Sequence, residues 1–127
     1  MPRMVIVDDE QEVLDELSEV FSEYGYEIET ARGGEEALRK VKEKRPHVML
    51  LDIRMPGMDG IEVLRRVREL DPSLGIIMVT AVMEENLAKE AMTLGAFDYI
   101  TKPIDLDYLR TSVVIKIINM LGSDPIA

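Results

Sequence analysis

Apolar positions along this chain follow two alternating rhythms. Unbroken apolar runs stand at Met4–Val7, Val48–Leu51 and Ile76–Val79. Between and after them, apolar residues recur at helical intervals: Val13, Leu14, Leu17, Val20 and Phe21; Ala37, Leu38 and Val41; Ile61, Leu64, Val67 and Leu70; Leu87, Ala88, Ala91, Met92 and Leu94. The short runs predict strands buried on both faces, and the spaced sets predict helices with one apolar stripe. Punctuation agrees. Gly25, Pro46, Asp71-Pro72 and Gly95 stop the helical sets, and Gly33-Gly34 opens the second. Two weaker strands complete the series. Tyr26, Ile28 and Thr30 alternate with Glu27 and Glu29, as on a sheet edge, and Tyr99-Ile100 is a short apolar step before a last helix from near Asp105.

This is a strand–helix unit repeated five times. Alternation of that kind predicts an α/β fold, a parallel sheet with helices on both faces. The fully apolar runs suit central strands and the glutamate-bearing one suits an edge. A (βα)5 flavodoxin-like three-layer sandwich, with its five strands in the order 2-1-3-4-5, meets both conditions with right-handed crossovers.

Composition narrows the function. With 127 residues the chain makes one domain with a sizeable core. No apolar run is long enough to span a membrane, and the N-terminus lacks a signal-peptide core. Cysteine is absent, which excludes disulfides and zinc-thiolate sites and favours a cytoplasmic setting. The net charge of −10 argues against direct nucleic-acid binding, which needs clustered cations.

The strand order gives the charge a place. Strands 1 and 3 are neighbours at the point where the winding reverses, and ligands bind beyond the carboxyl ends of strands at such a point. Strand 1 runs into Asp8-Asp9-Glu10 and strand 3 into Asp52. Carboxylates brought together there repel, and a hard divalent cation such as Mg²⁺ resolves the conflict. The plain alternative is that Asp8 or Asp9 caps the first helix. Strands 4 and 5 add Thr80 and Lys102 to the same rim. A hydroxyl and an ammonium beside a carboxylate–metal centre are what phosphoryl oxygens require.

The set Asp8-Asp9, Asp52, Thr80 and Lys102-Pro103, with Met55-Pro56-Gly57-Met58-Asp59-Gly60 between, resembles the receiver domain of two-component response regulators. The resemblance spans residues 1–121 and leaves 122–127 as a tail or truncated linker. It implies a signalling domain that catalyses only its own phosphorylation and dephosphorylation. It makes Asp52 the phosphoacceptor, taking its phosphoryl group from a phosphohistidine of a sensor kinase or histidine phosphotransfer protein. Asp9 and Asp52 would ligate Mg²⁺, with Asp8 acting through water and Arg54 through its backbone carbonyl; Mn²⁺ can substitute. Lys102 and Thr80 would contact the phosphoryl group, Thr80 by swinging in, and Tyr99 would be the switch aromatic that moves with Thr80. Lys102-Pro103 is often cis in relatives. Arg54 and Val82 occupy the positions that tune phospho-lifetime, and apolar Val82, unable to orient a water, implies slow self-dephosphorylation.

The last helix departs from the expected pattern. Leu106, Leu109, Val113, Ile117 and Met120 make one core stripe, yet Val114, Ile115, Ile118 and Leu121 are apolar as well. Either a few apolar residues are stray or the helix, with strand 5, offers a second surface for a homodimer or an output domain. His47 reads as a surface residue at the opposite end from the carboxylates, and Met49, Met78 and Met92 read as core filler. Other functions fit less well. An aspartate-nucleophile phosphatase wants Asp-x-Asp on strand 1, and a flavin protein wants a hydroxyl-rich loop where Asp8-Asp9-Glu10 would repel phosphate. A phosphorylation-independent scaffold has no use for the intact acidic pair, Thr80 and Lys102.

Overall fold

The computed structural model describes residues 1–122. Five strands alternate with five helices: β1 (Arg3–Val7), α1 (Gln11–Glu23), β2 (Glu27–Ala31), α2 (Gly34–Lys44), β3 (Val48–Leu51), α3 (Gly60–Leu70), β4 (Gly75–Thr80), α4 (Glu85–Thr93), β5 (Asp98–Thr101) and α5 (Leu106–Leu121). The strands form one sheet in the order β2-β1-β3-β4-β5, and every pairing is parallel. The predicted architecture is therefore observed.

Successive strand residues face opposite sides of a sheet, so each apolar run feeds two cores. Val5, Val7, Met49, Leu51, Ile76 and Met78 pack beneath α2, α3 and α4. Met4, Ile6, Val48, Leu50, Ile77 and Val79 pack beneath α1 and α5. Every residue of β3 and β4 is buried. β2 is half-buried along most of its length, as an edge strand with alternating glutamates should be. Arg110 stacks over the Tyr24 ring, 4.0 Å from its centroid, and ties α5 to the end of α1.

Two expectations need correction. Met49 and Met78 are fully buried, but Met92 is 46% exposed, because it lies on the outer side of α4, where Ala91 alone is buried. His47 is half-buried rather than a surface group. It does lie at the end of the sheet opposite the carboxylates, where its Nδ1 accepts the Arg3 N–H at 2.9 Å. Its main chain also continues the ladder on both sides, to Arg3 and Gly75.

Burial, then the charges of Arg3 and the N-terminus, hold the His47 pKa below its ordinary value of 6.5. The unfolded chain consequently takes up this proton first as pH falls. The His47 contribution to stability is complete above about 6.5 and declines as pH drops toward the lower folded value. His47→Asn keeps an acceptor near Nδ1 and cannot titrate. Urea midpoints from pH 7.5 to pH 5.5 are expected to fall more steeply for wild type than for His47→Asn; parallel curves would contradict this. Comparing the two proteins cancels the carboxylates that titrate in the same range.

On α5, Leu109, Val113 and Ile117 are buried with Ser112, and Leu106 and Met120 are half-buried, so the predicted stripe is found. Ile115, Ile118 and Leu121 are 46%, 39% and 48% exposed, and Tyr108 is 54% exposed. Three of the four excess apolar residues are thus exposed, and the fourth, Val114, is half-buried. Of the predicted tail, Gly122 caps α5 and residues 123–127 lie outside the described residues.

Candidate functional site at the carboxyl edge of the sheet

Four strand ends build the site. The register pairs Val7 with Leu51 and Thr80 with Thr101, so the residues that follow emerge side by side. The Asp8 N–H donates to the Ala31 carbonyl at 3.1 Å, and the Asp52 N–H to the Val7 carbonyl at 3.0 Å. Both carboxylates therefore leave from backbone still anchored to the sheet.

Asp8 is 2% exposed, and both its oxygens are engaged. Oδ1 accepts the Glu10 N–H at 2.9 Å, and Oδ2 accepts from Lys102 Nζ at 2.8 Å. Neither aspartate caps α1. The N-cap is Glu10, which makes no side-chain capping bond. The half-exposed Asp9 carboxylate has no hydrogen-bond or ion-pair partner among the described residues. Carboxylate oxygens of Asp8, Asp9 and Glu10 lie within 4.8 Å of one another. This all-oxygen donor set, with the Asp9 and Glu10 carboxylates free of hydrogen-bond and ion-pair partners among the described residues, matches the chemistry of a hard divalent cation.

Asp52 is only 4% exposed, so it sits at the floor of the site instead of protruding from it. Oδ1 accepts the Ile53 N–H at 2.8 Å and Oδ2 is 3.7 Å from Lys102 Nζ, with the Thr80 hydroxyl nearby. Burial raises the Asp52 pKa above the usual carboxylate range; the Thr80 hydroxyl opposes this, Asp8 adds to it, and Lys102 and the Ile53 N–H oppose it. Burial also pulls the Lys102 pKa down, but the Asp8 hydrogen bond and the charges of Asp52, Asp8 and Glu10 outweigh it, leaving a net rise. Lys102 is a fixed cation shared by two buried carboxylates. The Lys102-Pro103 peptide is cis.

Residues 52–59 form neither helix nor strand. The Asp59 side chain accepts the Glu62 N–H and starts α3. Gly60 N–H donates to the Ile53 carbonyl at 2.9 Å, which presses the start of α3 against the tip of β3. A Cβ on Gly60 would overlap the Asp52 carbonyl. Arg54 is exposed on this loop, with no side-chain partner among the described residues. A groove of about 760 Å³ between the loop, α3 and α4 is lined by Arg54, Glu62, Arg65 and Glu90. It holds none of the strand-end carboxylates, so donor geometry and not concavity locates the chemistry.

Thr80 is fully buried next to Asp52. Its Oγ1 accepts the Val82 N–H at 3.3 Å. The half-buried Tyr99 donates its hydroxyl to the Val82 carbonyl at 2.7 Å. Burial, then the charges of Glu84 and Asp52, raise the Tyr99 pKa, so it remains a donor. Two hydrogen bonds thus link Thr80, beside Asp52, through the Val82 main chain to Tyr99.

A family model for the response regulator receiver domain matches residues 4–114. The chain belongs to this family. As a receiver domain it is 40% identical over 111 residues to sporulation initiation phosphotransferase F of Bacillus subtilis, covering 87% of this chain and 90% of that protein. It is 44% identical to the regulatory protein AtoC of Escherichia coli, but there it spans only 24% of the relative's length against 87% of its own. Among solved structures, a CheY-like receiver domain protein from Methanospirillum hungatei superposes with a TM-score of 0.93 at 30% identity, covering 96% and 98% of the two chains. A CheX-CheY-BeF3-Mg²⁺ complex from Borrelia burgdorferi superposes with a TM-score of 0.86 at 35% identity, covering 90% of this chain and 87% of that one.

The receiver fold brings Asp8, Asp9, Asp52, Thr80 and Lys102 to one edge, as the sequence reading expects. Two further residues join them. Glu10 completes the carboxylate cluster, and Arg32 donates to the Asp9 carbonyl at 2.8 Å. Arg32 follows β2, and only the β1–β2 register, Val7 opposite Ala31, places it beside Asp9.

Proposed function

We propose that Asp52 is the phosphoacceptor of this receiver. One observation carries the reading: a lysine ammonium and a threonine hydroxyl converge on a single buried carboxylate at a strand end. An Asp52 oxygen attacks the phosphorus of a phosphohistidine. The P–N bond breaks, the imidazole leaves, and an acyl phosphate remains. Lys102 stands ready to neutralise a phosphoryl oxygen, and Thr80 to donate a hydrogen bond to another. Nucleophilic catalysis of this kind divides one phosphoryl transfer into two easier ones.

Asp9 and Asp52 would hold Mg²⁺ (or Mn²⁺), joined by Asp8 through water and by the Arg54 main-chain carbonyl. The engaged oxygens of Asp8 and the free oxygens of Asp9 support this division. When bound, the ion cancels negative charge on nucleophile and phosphoryl group together. The Mg²⁺ in the Borrelia complex supports a Mg²⁺ site in this receiver.

New charge on Asp52 changes what Thr80 bonds, and Val82 passes that change to Tyr99. Val82 is buried and apolar, which supports slow self-dephosphorylation. The phosphodonor partner is a sensor histidine kinase or a histidine phosphotransfer protein, in the cytoplasm. Among the described residues no helix is long and apolar enough to cross a membrane. Exposed Tyr108, Ile115, Ile118 and Leu121 support an output partner or second copy on α5 and β5. Incubation with acetyl phosphate tests the reading: one base-labile phosphoryl adduct is expected, requiring Mg²⁺ and abolished by EDTA. An adduct indifferent to EDTA would overturn the metal assignment.

A further inference from the structure

We propose that Arg32 is a positioning residue for the cation site, setting the direction of the Asp9 carboxylate before any ion arrives. The inference rests on the reading of Asp9 as a metal ligand. Its basis is one peptide group. The Asp9–Glu10 peptide is gripped at both ends: its N–H donates to Asp8 Oδ1 at 2.9 Å, and its carbonyl accepts from the Arg32 guanidinium at 2.8 Å. Fixing both ends of a peptide plane fixes the backbone rotation on each side of it, and with it the direction of the Asp9 side chain.

Each grip is itself held. Asp8 is anchored by Lys102 through Oδ2 and by its own N–H on Ala31. The Arg32 main-chain N–H donates to Glu36 Oε1 at 2.8 Å, which ties the arginine to the first turn of α2. The path from α2 through Arg32 to Asp9 uses a long exposed side chain to restrain a loop that carries three adjacent carboxylates. Those carboxylates repel one another when no cation is present, and the loop would open without a restraint. Outer partners that orient metal ligands are worth affinity although they never touch the ion.

A guanidinium near a dication also repels it. Arg32 is exposed, however, and at physiological salt its charge is screened over about 8 Å. The hydrogen bond acts at contact and is not screened in that way. Orientation therefore outweighs repulsion, and this choice gives the test its sign.

The test is calorimetric titration of the whole chain with Mg²⁺, at ionic strength of about 0.15 M, on wild type, Arg32→Ala, Arg32→Lys and Asp9→Asn. Urea midpoints in EDTA accompany each. Arg32→Ala is expected to bind Mg²⁺ about tenfold more weakly, the lower end for loss of an outer partner. Arg32→Lys, which keeps a cationic donor for the carbonyl, is expected to recover most of the affinity. A merely structural arginine would shift the urea midpoint and leave the affinity of the folded protein unchanged. Unchanged or tighter binding by Arg32→Ala overturns the proposal, as does failure of Arg32→Lys to exceed Arg32→Ala. If wild type binds no Mg²⁺, or Asp9→Asn binds it as well as wild type, the metal-site reading fails first and this inference falls with it.

Discussion

Lys102→Ala is expected to slow phosphoryl uptake from acetyl phosphate by about 100- to 1,000-fold, the usual loss when one preorganised charge stabiliser is removed. It should also cost the metal-free protein about 3 kcal/mol, at the lower end for breaking a buried ion pair, because the lysine keeps some solvent contact. The reason is arithmetic of charge. Asp8 and Asp52 are 2% and 4% exposed, and Lys102 lies 2.8 Å from one and 3.7 Å from the other. Without the ammonium, two buried carboxylates face each other with hydrogen bonds but no counter-charge. The sign of the pH dependence follows. Burial already raises the Asp52 pKa, and loss of Lys102 raises it further. A group whose folded pKa is raised favours the folded state in its protonated form, so the deficit of Lys102→Ala should shrink as pH falls and Asp52 takes up its proton. Urea titrations in EDTA at neutral and mildly acidic pH measure this. Equal deficits at both pH values, or uptake near the wild-type rate, would contradict it.

Gly60→Ala should be almost as damaging, through shape instead of charge. A Cβ at this position meets the Asp52 carbonyl oxygen, the Asp52 carbonyl carbon and the Ile53 Cα. All three are main-chain atoms at the tip of a buried strand, so no side-chain rotation relieves the overlap. Either α3 retreats and loses the Gly60 N–H bond to the Ile53 carbonyl, or the β3 tip moves and takes Asp52 with it. Overpacking of this kind costs about 3 kcal/mol. A displacement of about 1 Å at the nucleophile costs about 100-fold in rate. Denaturant midpoint and acetyl phosphate uptake should both fall. A variant with near-normal values of both would show that the helix start is not pressed against the acceptor as described.

Much of this was legible in the chain. Unbroken runs such as Val48–Leu51 marked central strands because only a strand covered on both faces buries four consecutive side chains. Once the order was set, the carboxyl-edge rule collected Asp8, Asp9, Asp52, Thr80 and Lys102 from four separate strand ends. What stayed hidden depended on register and depth. Arg32 has no periodic or motif signal; it reaches Asp9 because the end of β2 lies level with the end of β1. The depth of Asp52 is not legible in the chain, because a residue at a strand tip looks peripheral in one dimension while its neighbours Lys102 and Ile53 leave it 4% exposed in three. Met92 was misplaced because helical spacing does not say how wide a face the neighbours cover. His47 was placed at the correct end, but its bond to the Arg3 main chain could not be seen without the pairing of β1 and β3.

The measurement that bears most directly on Asp52 as acceptor is intact-mass spectrometry of wild type and Asp52→Asn after incubation with acetyl phosphate and Mg²⁺. The substitution keeps the shape of the site and removes the nucleophilic carboxylate. Wild type is predicted to gain a single base-labile phosphoryl mass, and Asp52→Asn, shown to be folded, is predicted to gain none. An adduct of equal yield and equal lability on Asp52→Asn would contradict the account.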